Sequence, residues 1–288
     1  MRVTQSMIAS QFLSNLRRTE ERILRLQNEL STGSRVQRPS DDPISFNDIM
    51  RFQEIVDRNK KYLENIGEAK DWLSATEAAL SSAGDVLSRA RELAVQGAND
   101  TLPQPSRDAL AKEIDQLRDQ LIQVANTRFG DRYLFSGNLT ETPSFDDNGV
   151  YQGNSGLFTR TIAAGIDLEI NVPGNEVFEA AIQQLATLAD DLRNGSASDV
   201  GSQIDALEQE IDRVLAKRAD VGARLNRLEL SEKSMMEMQM STEELLSQLA
   251  DTDVTKGITD LMMLQAQYQA ALQVGARMMP PTLVDFLR

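Results

Sequence analysis

The sequence predicts a mainly α protein: an elongated antiparallel helical bundle or coiled-coil rod, with a small β-rich insertion and an amphipathic helix at each end. Three observations predict it. Ile204, Leu207, Ile211, Val214, Val221, Leu225, Leu228 and Met235 keep a strict seven-residue repeat, interrupted at Arg218 and Glu232, which is the pattern of a helix packed on a partner helix. Between Pro43 and Pro103, Ile49, Phe52, Val56, Leu63, Ile66, Leu73, Leu80, Leu87 and Ala94 follow steps of three, four and seven. Seven of the sixteen glycines instead crowd into 130–175, and six of the fourteen aromatics fall between Phe129 and Phe158, a composition of turns and short strands.

In chain order, Ile8, Leu16, Ile23, Leu26 and Leu30 give the first amphipathic helix, closed near Leu30-Ser31-Thr32 with Gly33 as its C-cap. The Pro43–Pro103 stripe gives a long second helix, weakened at Gly67 and Gly84, where a kink or break is expected if anywhere. A third helix is expected from about Ser106, as N-cap, to Phe129, with Leu110, Ile114, Leu117, Leu121 and Val124 on its buried side. Asp147-Asn148-Gly149 between Phe145 and Val150-Tyr151 reads as a hairpin turn. Leu168, Ile170 and Val172 alternate with polar residues as a half-buried strand does, and Pro173-Gly174 closes the insertion. Phe178, Ile182, Leu185 and Leu192 mark a short helix. A heptad helix from 200 to 249 would be roughly 75 Å long at about 1.5 Å per residue. Val254, Ile258, Leu261, Tyr268 and Leu272 form the last stripe. The terminal stripes have nothing nearby in sequence to cover them, so those helices should pair with each other, with other subunits, or both.

Three segments are therefore expected. Residues 1–43 with 251–288 form terminal helices, frayed in the free chain; 44–129 with 176–250 form a helical rod; 130–175 form the insertion.

Composition excludes most chemistry. The chain has 288 residues, 30 basic and 44 acidic, a net charge of −14, and neither cysteine nor histidine. There is no disulfide, no thiolate or imidazole, no ordinary zinc site, and no Ser-His-Asp or Cys-His hydrolase. An acidic balance without a basic block argues against nucleic acid. No apolar run is long enough to span a membrane. The first eighteen residues, MRVTQSMIASQFLSNLRR, lack the features of a cleaved secretory signal, so the chain is expected either in the cytoplasm or exported by a route that needs none.

Only carboxylates, Lys, Tyr and Ser remain for catalysis. Asp41-Asp42, followed by Pro43, reads as a helix start with Pro at the first position rather than as a metal site, and no cofactor is expected. Asp146-Asp147-Asn148-Gly149 lacks the spaced acids of a calcium loop. An enzyme would need two close carboxylates in a cleft of the insertion. Arg35 and Arg38, flanking the Gly33 turn, are either solvated or contacts to a neighbouring subunit. Eight of the eleven methionines lie from Met235 onward, suited equally to helix core or to a surface that packs against several neighbours.

Leu30-Ser31-Thr32-Gly33-Ser34-Arg35-Val36 with Pro39-Ser40-Asp41-Asp42-Pro43 resembles the N-terminal signature of the bacterial flagellin family. Leu264-Gln265-Ala266-Gln267-Tyr268-Gln269-Ala270-Ala271-Leu272-Gln273 resembles its C-terminal one. Within the family the likeness is greater to the branch that joins hook to filament than to filament flagellin, the alternative. Arg38-Pro39-Ser40-Asp41-Asp42-Pro43, Gly130-Asp131-Arg132-Tyr133-Leu134-Phe135-Ser136-Gly137 and the ending Thr282-Leu283-Val284-Asp285-Phe286-Leu287 carry that preference. The resemblance implies a structural, extracellular flagellar component, exported through the type III channel without signal cleavage. Its implied partners are further copies in a ring, hook-associated protein 1, flagellin, and a cytoplasmic export chaperone bound at the C-terminal region. It also implies that Leu30, Gly33, Arg35, Asp41, Asp42, Pro43, Leu261, Tyr268 and Leu272 serve the subunit interface, with no catalytic, cofactor or metal residues.

Overall fold

The computed structural model of the chain describes residues 5–278. Met279, the ending 282–287, and the side chains of Ile8 and Met278 lie outside that description. Six helices and two small antiparallel sheets make up the described residues. They are α1 (Gln5–Thr32), α2 (Pro43–Gly97), α3 (Gln104–Ala125), β1 (Arg128–Phe129), β2 (Arg132–Tyr133), β3 (Thr159–Ala163), β4 (Ile166–Glu169), α4 (Glu179–Asn194), α5 (Ala197–Ala250) and α6 (Val254–Met278). The chain divides into two compact units, Met1–Asp57 with Gln239–Arg288 (unit 1) and Arg58–Met238 (unit 2).

Unit 2 holds the main core. On α2 the expected series Ile66, Leu73, Leu80, Leu87 and Ala94 is fully buried, and a second series of Ala69, Thr76, Ala83, Ala90 and Gly97 interleaves with it at the same period. A third, Trp72, Ala79, Val86 and Leu93, widens the buried face. The partner that the α5 heptad requires is α2, running the other way. Lys70 meets Glu232 at 3.2 Å, Glu77 meets Arg218 at 2.7 Å and Arg91 meets Glu208 at 3.6 Å, so numbers rise on one helix as they fall on the other. The two polar interruptions of the heptad are thus the residues that reach across to α2. Leu207, Val214, Val221 and Leu228 are buried between them, while Ile204, Ile211, Leu225 and Met235 pack on the margin.

Four expectations need correction. α2 is unbroken at Gly67 and Gly84, because packing along the whole buried face outweighs the roughly 1 kcal/mol that each glycine costs a helix. α3 begins at Gln104, not at Ser106. Pro103 is the extended residue before the helix, Pro105 sits in the first turn, and the Ser106 amide already donates to the Pro103 carbonyl at 2.9 Å. The helix also stops at Ala125, since Arg128 and Phe129 leave it to pair with Arg132 and Tyr133. Finally, the strand expected over 168–172 is Ile166–Glu169, with Leu168, Ile170 and Val172 buried as anticipated.

The turn at Asp147-Asn148-Gly149 is present. Asp146 accepts the amides of Asn148 (3.0 Å) and Val150 (2.8 Å), Gly149 takes φ 83°, and Phe145 bridges to Tyr151. Side-chain amides then replace a continuous ladder. Asn126 clamps the Phe145 backbone at 2.8 and 2.9 Å, and Asn171 binds the Phe158 amide (3.0 Å) and Gly156 carbonyl (2.8 Å). Phe135, Phe145 and Phe178 fill the centre, with Phe135 and Phe178 edge to face at 4.8 Å. On the far side of the core, α3 and α4 pack through Leu110, Ile114 and Leu121 against Leu185, Leu188 and Leu192, with Arg193 paired to Asp115.

Candidate assembly interface

All nine residues singled out for the interface fall in unit 1. Gly33 ends α1 with φ 72°, as a C-cap should. Its carbonyl accepts the Thr252 amide at 2.9 Å, and the Arg35 amide donates to the Ala250 carbonyl at 2.7 Å. The Arg35 guanidinium adds a bond to the Leu249 carbonyl at 3.1 Å. The link after α1 is thereby laced to the link before α6, and Val36 is buried beneath it.

Asp42 caps α2. One carboxylate oxygen accepts the Ile44 and Ser45 amides, each at 3.1 Å, and the other accepts the Ser45 hydroxyl at 2.6 Å; Pro43 opens the helix. Asp41 accepts the Arg38 amide at 3.0 Å and tightens the same turn. The Ser45 hydroxyl first, then the Ser45 amide, hold the Asp42 carboxyl below the usual aspartate value. A depressed carboxyl contributes stability that is complete above its unfolded value, about pH 4, and is lost as pH falls through the folded value. Helix content of the Asp42→Ala chain, followed by circular dichroism during acid titration, should therefore fall less between about pH 4 and pH 2 than that of the parent chain. Identical titrations would remove Asp42 from the cap.

α1 and α6 pack on each other. Phe12, Leu16, Ile23, Leu26 and Leu30 are half-buried on α1, and Leu261, Leu264 and Tyr268 are half-buried on α6. Two buried glycines let the helices approach. A Cβ on Gly257 would stand 2.7 Å from Leu30 Cδ2, and one on Gly275 would overlap the Phe12 ring. Sequence reasoning missed both; their signal is a pair of glycines eighteen residues apart, five turns along one helix face.

The last stripe is only partly covered. Val254, Ile258, Met262 and Leu272 form a flank beside the α1 contact and remain 44–66% exposed. The imbalance extends through unit 1. Thirteen of the twenty-three exposed large apolar side chains described lie there, among them Met7, Leu13, Leu24, Ile44 and Met240. Among the described residues, buried apolar side chains number three in unit 1 (Val36, Ile49 and Val56) against thirty-eight in unit 2. Exposed apolar surface at this density marks a surface made for covering. Both readings of the methionines have their place: Met235 packs on the unit 2 core, whereas Met236, Met238, Met240, Met262 and Met263 are exposed.

Three carboxylates meet where α2 borders the insertion. A groove of 480 Å³ is lined by Glu68, Asp71 and Asp131 beside Trp72, Phe129 and Phe158. Glu68 is paired with Arg160 at 3.1 Å, and the Asp131 side chain is fully exposed. Asp146 and Asp147 lie away from it, in their turn.

Comparison with known proteins agrees with this organisation. Residues 3–140 match the bacterial flagellin N-terminal helical region, and residues 204–287 match the bacterial flagellin C-terminal helical region. Flagellar hook-associated protein 3 of Escherichia coli is 27% identical over 304 residues, covering 94% of this chain and 95% of its own. The flagellin of Bacillus subtilis is 24% identical over 311 residues, covering both chains completely. Among solved structures, the flagellar hook associated protein-3 of Legionella pneumophila superposes with a TM-score of 0.64 at 17% identity. It covers 70% of this chain and 98% of its own, a likeness of fold.

Proposed function

The chain belongs to the bacterial flagellin family, and from that premise we propose that it joins the hook to the flagellin filament. It is a structural component of the flagellum rather than an enzyme. In the proposed role it assembles as a ring of copies, seated on hook-associated protein 1 and capped by flagellin, through unit 1. The observation that carries this is the pairing of a nearly coreless unit 1 with an exposed apolar flank on α6. Burial of such surface against neighbours stabilises by about 25 cal/mol per Å², and only association can supply the cover that α1 leaves off. Export runs through the flagellar type III channel without signal cleavage, with a cytoplasmic chaperone holding the C-terminal region until passage.

The junction is preferred over the filament because the Arg38-Pro39-Ser40-Asp41-Asp42-Pro43 turn, which Asp41 and Asp42 build here, has the form resembling the junction branch. The filament reading retains support from the full-length match to the Bacillus flagellin. Deleting the gene in a flagellated cell separates them. The junction role predicts hooks without filaments and flagellin lost into the medium; normal filaments would refute it. Purified chain that grows long filaments from seeds would favour the flagellin reading instead.

A further inference from the structure

Two buried donors lack an acceptor at one place in unit 2. The groove of 480 Å³ where α2 borders the insertion has Trp72, only 5% exposed, and Arg160 in its lining. Among the described residues, neither the Trp72 indole nitrogen nor Arg160 Nε finds a hydrogen-bond partner, although a terminal nitrogen of Arg160 pairs with Glu68 at 3.1 Å. Folded proteins leave few buried donors unpaired, and each one calls for an explanation. The same groove carries acceptors in want of donors. Asp71 makes no hydrogen bond or ion pair among the described residues, and the Asp131 carboxylate reaches only Arg128, at 3.9 Å. Phe129 adds an apolar wall: it stands edge-on to Trp72 with ring centres 6.0 Å apart and remains 41% exposed.

We infer that this groove binds a neutral saccharide. The mixed donor and acceptor set decides the class. An anion would face Asp71 and Asp131, and a cation would face Arg132 and the unsatisfied guanidinium and indole donors. A sugar hydroxyl both donates and accepts, so neighbouring hydroxyls of one ring satisfy orphan donors and free carboxylates together. The C–H face of that ring lies against Phe129. A peptide supplies one donor and one acceptor per residue, more widely spaced than the hydroxyls of a ring. The volume falls within the range of small-molecule sites. The indole nitrogen is covered in the free chain, so binding includes a shift of Phe129, the exposed ring packed on Trp72. The inference stands apart from the junction role.

Trp72 is the only tryptophan of the chain, so its emission reports on the groove directly. The full-length chain is titrated with cellohexaose, mannohexaose and chitohexaose, all neutral, with hexagalacturonate as the charged counterpart and capped hexaalanine as the peptide probe. Heats of binding are measured in parallel. At least one neutral saccharide is expected to shift the Trp72 emission and to bind with a Kd of about 1 mM or tighter, and about tenfold or more tighter than the uronate or the peptide. Asp71→Asn, at an exposed position, should weaken that binding about tenfold or more while leaving the circular dichroism of the free chain unchanged. Asp147→Asn, in the hairpin turn outside the groove lining, should leave the affinity as it is. Stronger binding of the hexasaccharide than of its disaccharide would assign a glycan strand, and equal binding a free sugar. No emission shift or heat with any neutral saccharide would overturn the inference. So would equal binding of the uronate or the peptide, or saccharide binding that Asp71→Asn leaves untouched.

Discussion

Replacing Ile258 and Met262 together by aspartate is expected to abolish filament attachment while leaving the free chain folded. Both side chains lie one turn apart on the flank of α6 that α1 leaves uncovered, at 44% and 66% exposure. Carboxylates placed there meet water in the monomer, so circular dichroism and the emission of Trp72, the only tryptophan, should match the parent chain. In an assembled ring the same positions lose about 1.5–3 kcal/mol each of apolar burial, and a carboxylate in a dry seam adds an unpaired-charge penalty. The loss recurs in every copy. Attachment to hooks should therefore drop by at least about 100-fold, which needs only about 2.7 kcal/mol per contact. Unimpaired filaments on cells carrying this variant would show that the flank faces solvent in the assembly too.

Gly137→Ala should be the most damaging single methyl in the insertion. Gly137 is buried at φ 68°, and a Cβ there would overlap the Asn154 carbonyl and its side-chain oxygen. Asn154 cannot retreat freely. Its side chain accepts the amides of Asn138 (2.8 Å) and Gly156 (3.1 Å), and its carbonyl accepts the Tyr151 hydroxyl (2.8 Å), which also reaches the Phe135 carbonyl at 3.0 Å. Left-handed backbone costs alanine about 1 kcal/mol, and displacing this network raises the total to about 3 kcal/mol. Gly165→Ala is the control: φ is 71° at an open hairpin tip, so only the backbone cost of about 1 kcal/mol applies. Urea unfolding read from Trp72, which packs edge-on to Phe129 and Phe158 at 6.0 and 5.3 Å, should place the two midpoints far apart. Equal midpoints would mean that the Asn154 turn relaxes at little cost.

The helices were legible because their periodicity survives packing. The α5 heptad and the leucine series of α2 read directly from sequence, and α2 proved to be the partner that the heptad implied. What escaped was the small-residue series Ala69, Thr76, Ala83, Ala90 and Gly97, since such small side chains carry little hydropathy signal although the series is as buried as the leucines. The insertion resisted reading for a different reason. Asn126, Asn154 and Asn171 satisfy backbone groups that a ladder would otherwise pair, so its strands are short and its alternation stops early. At the candidate interface, the Asp41-Asp42-Pro43 turn and the Gly33 cap were readable as local backbone chemistry. The offset of the α6 stripe was not. Val254, Ile258 and Leu272 belong to the same sequence pattern as Leu261 and Tyr268, and only the position of α1 decides which of them it covers.

Hydrogen exchange of the full-length chain, free and then assembled on hooks, tests the central claim most directly. Amide protection follows local opening, which is cheap where few apolar side chains are buried. In the free chain, residues 5–30 and 254–276 should exchange orders of magnitude faster than 66–94 and 207–228, and assembly should slow the terminal segments to core-like rates. Strong protection of both terminal segments in the free chain, unchanged by assembly, would contradict the claim that unit 1 completes its core only between copies.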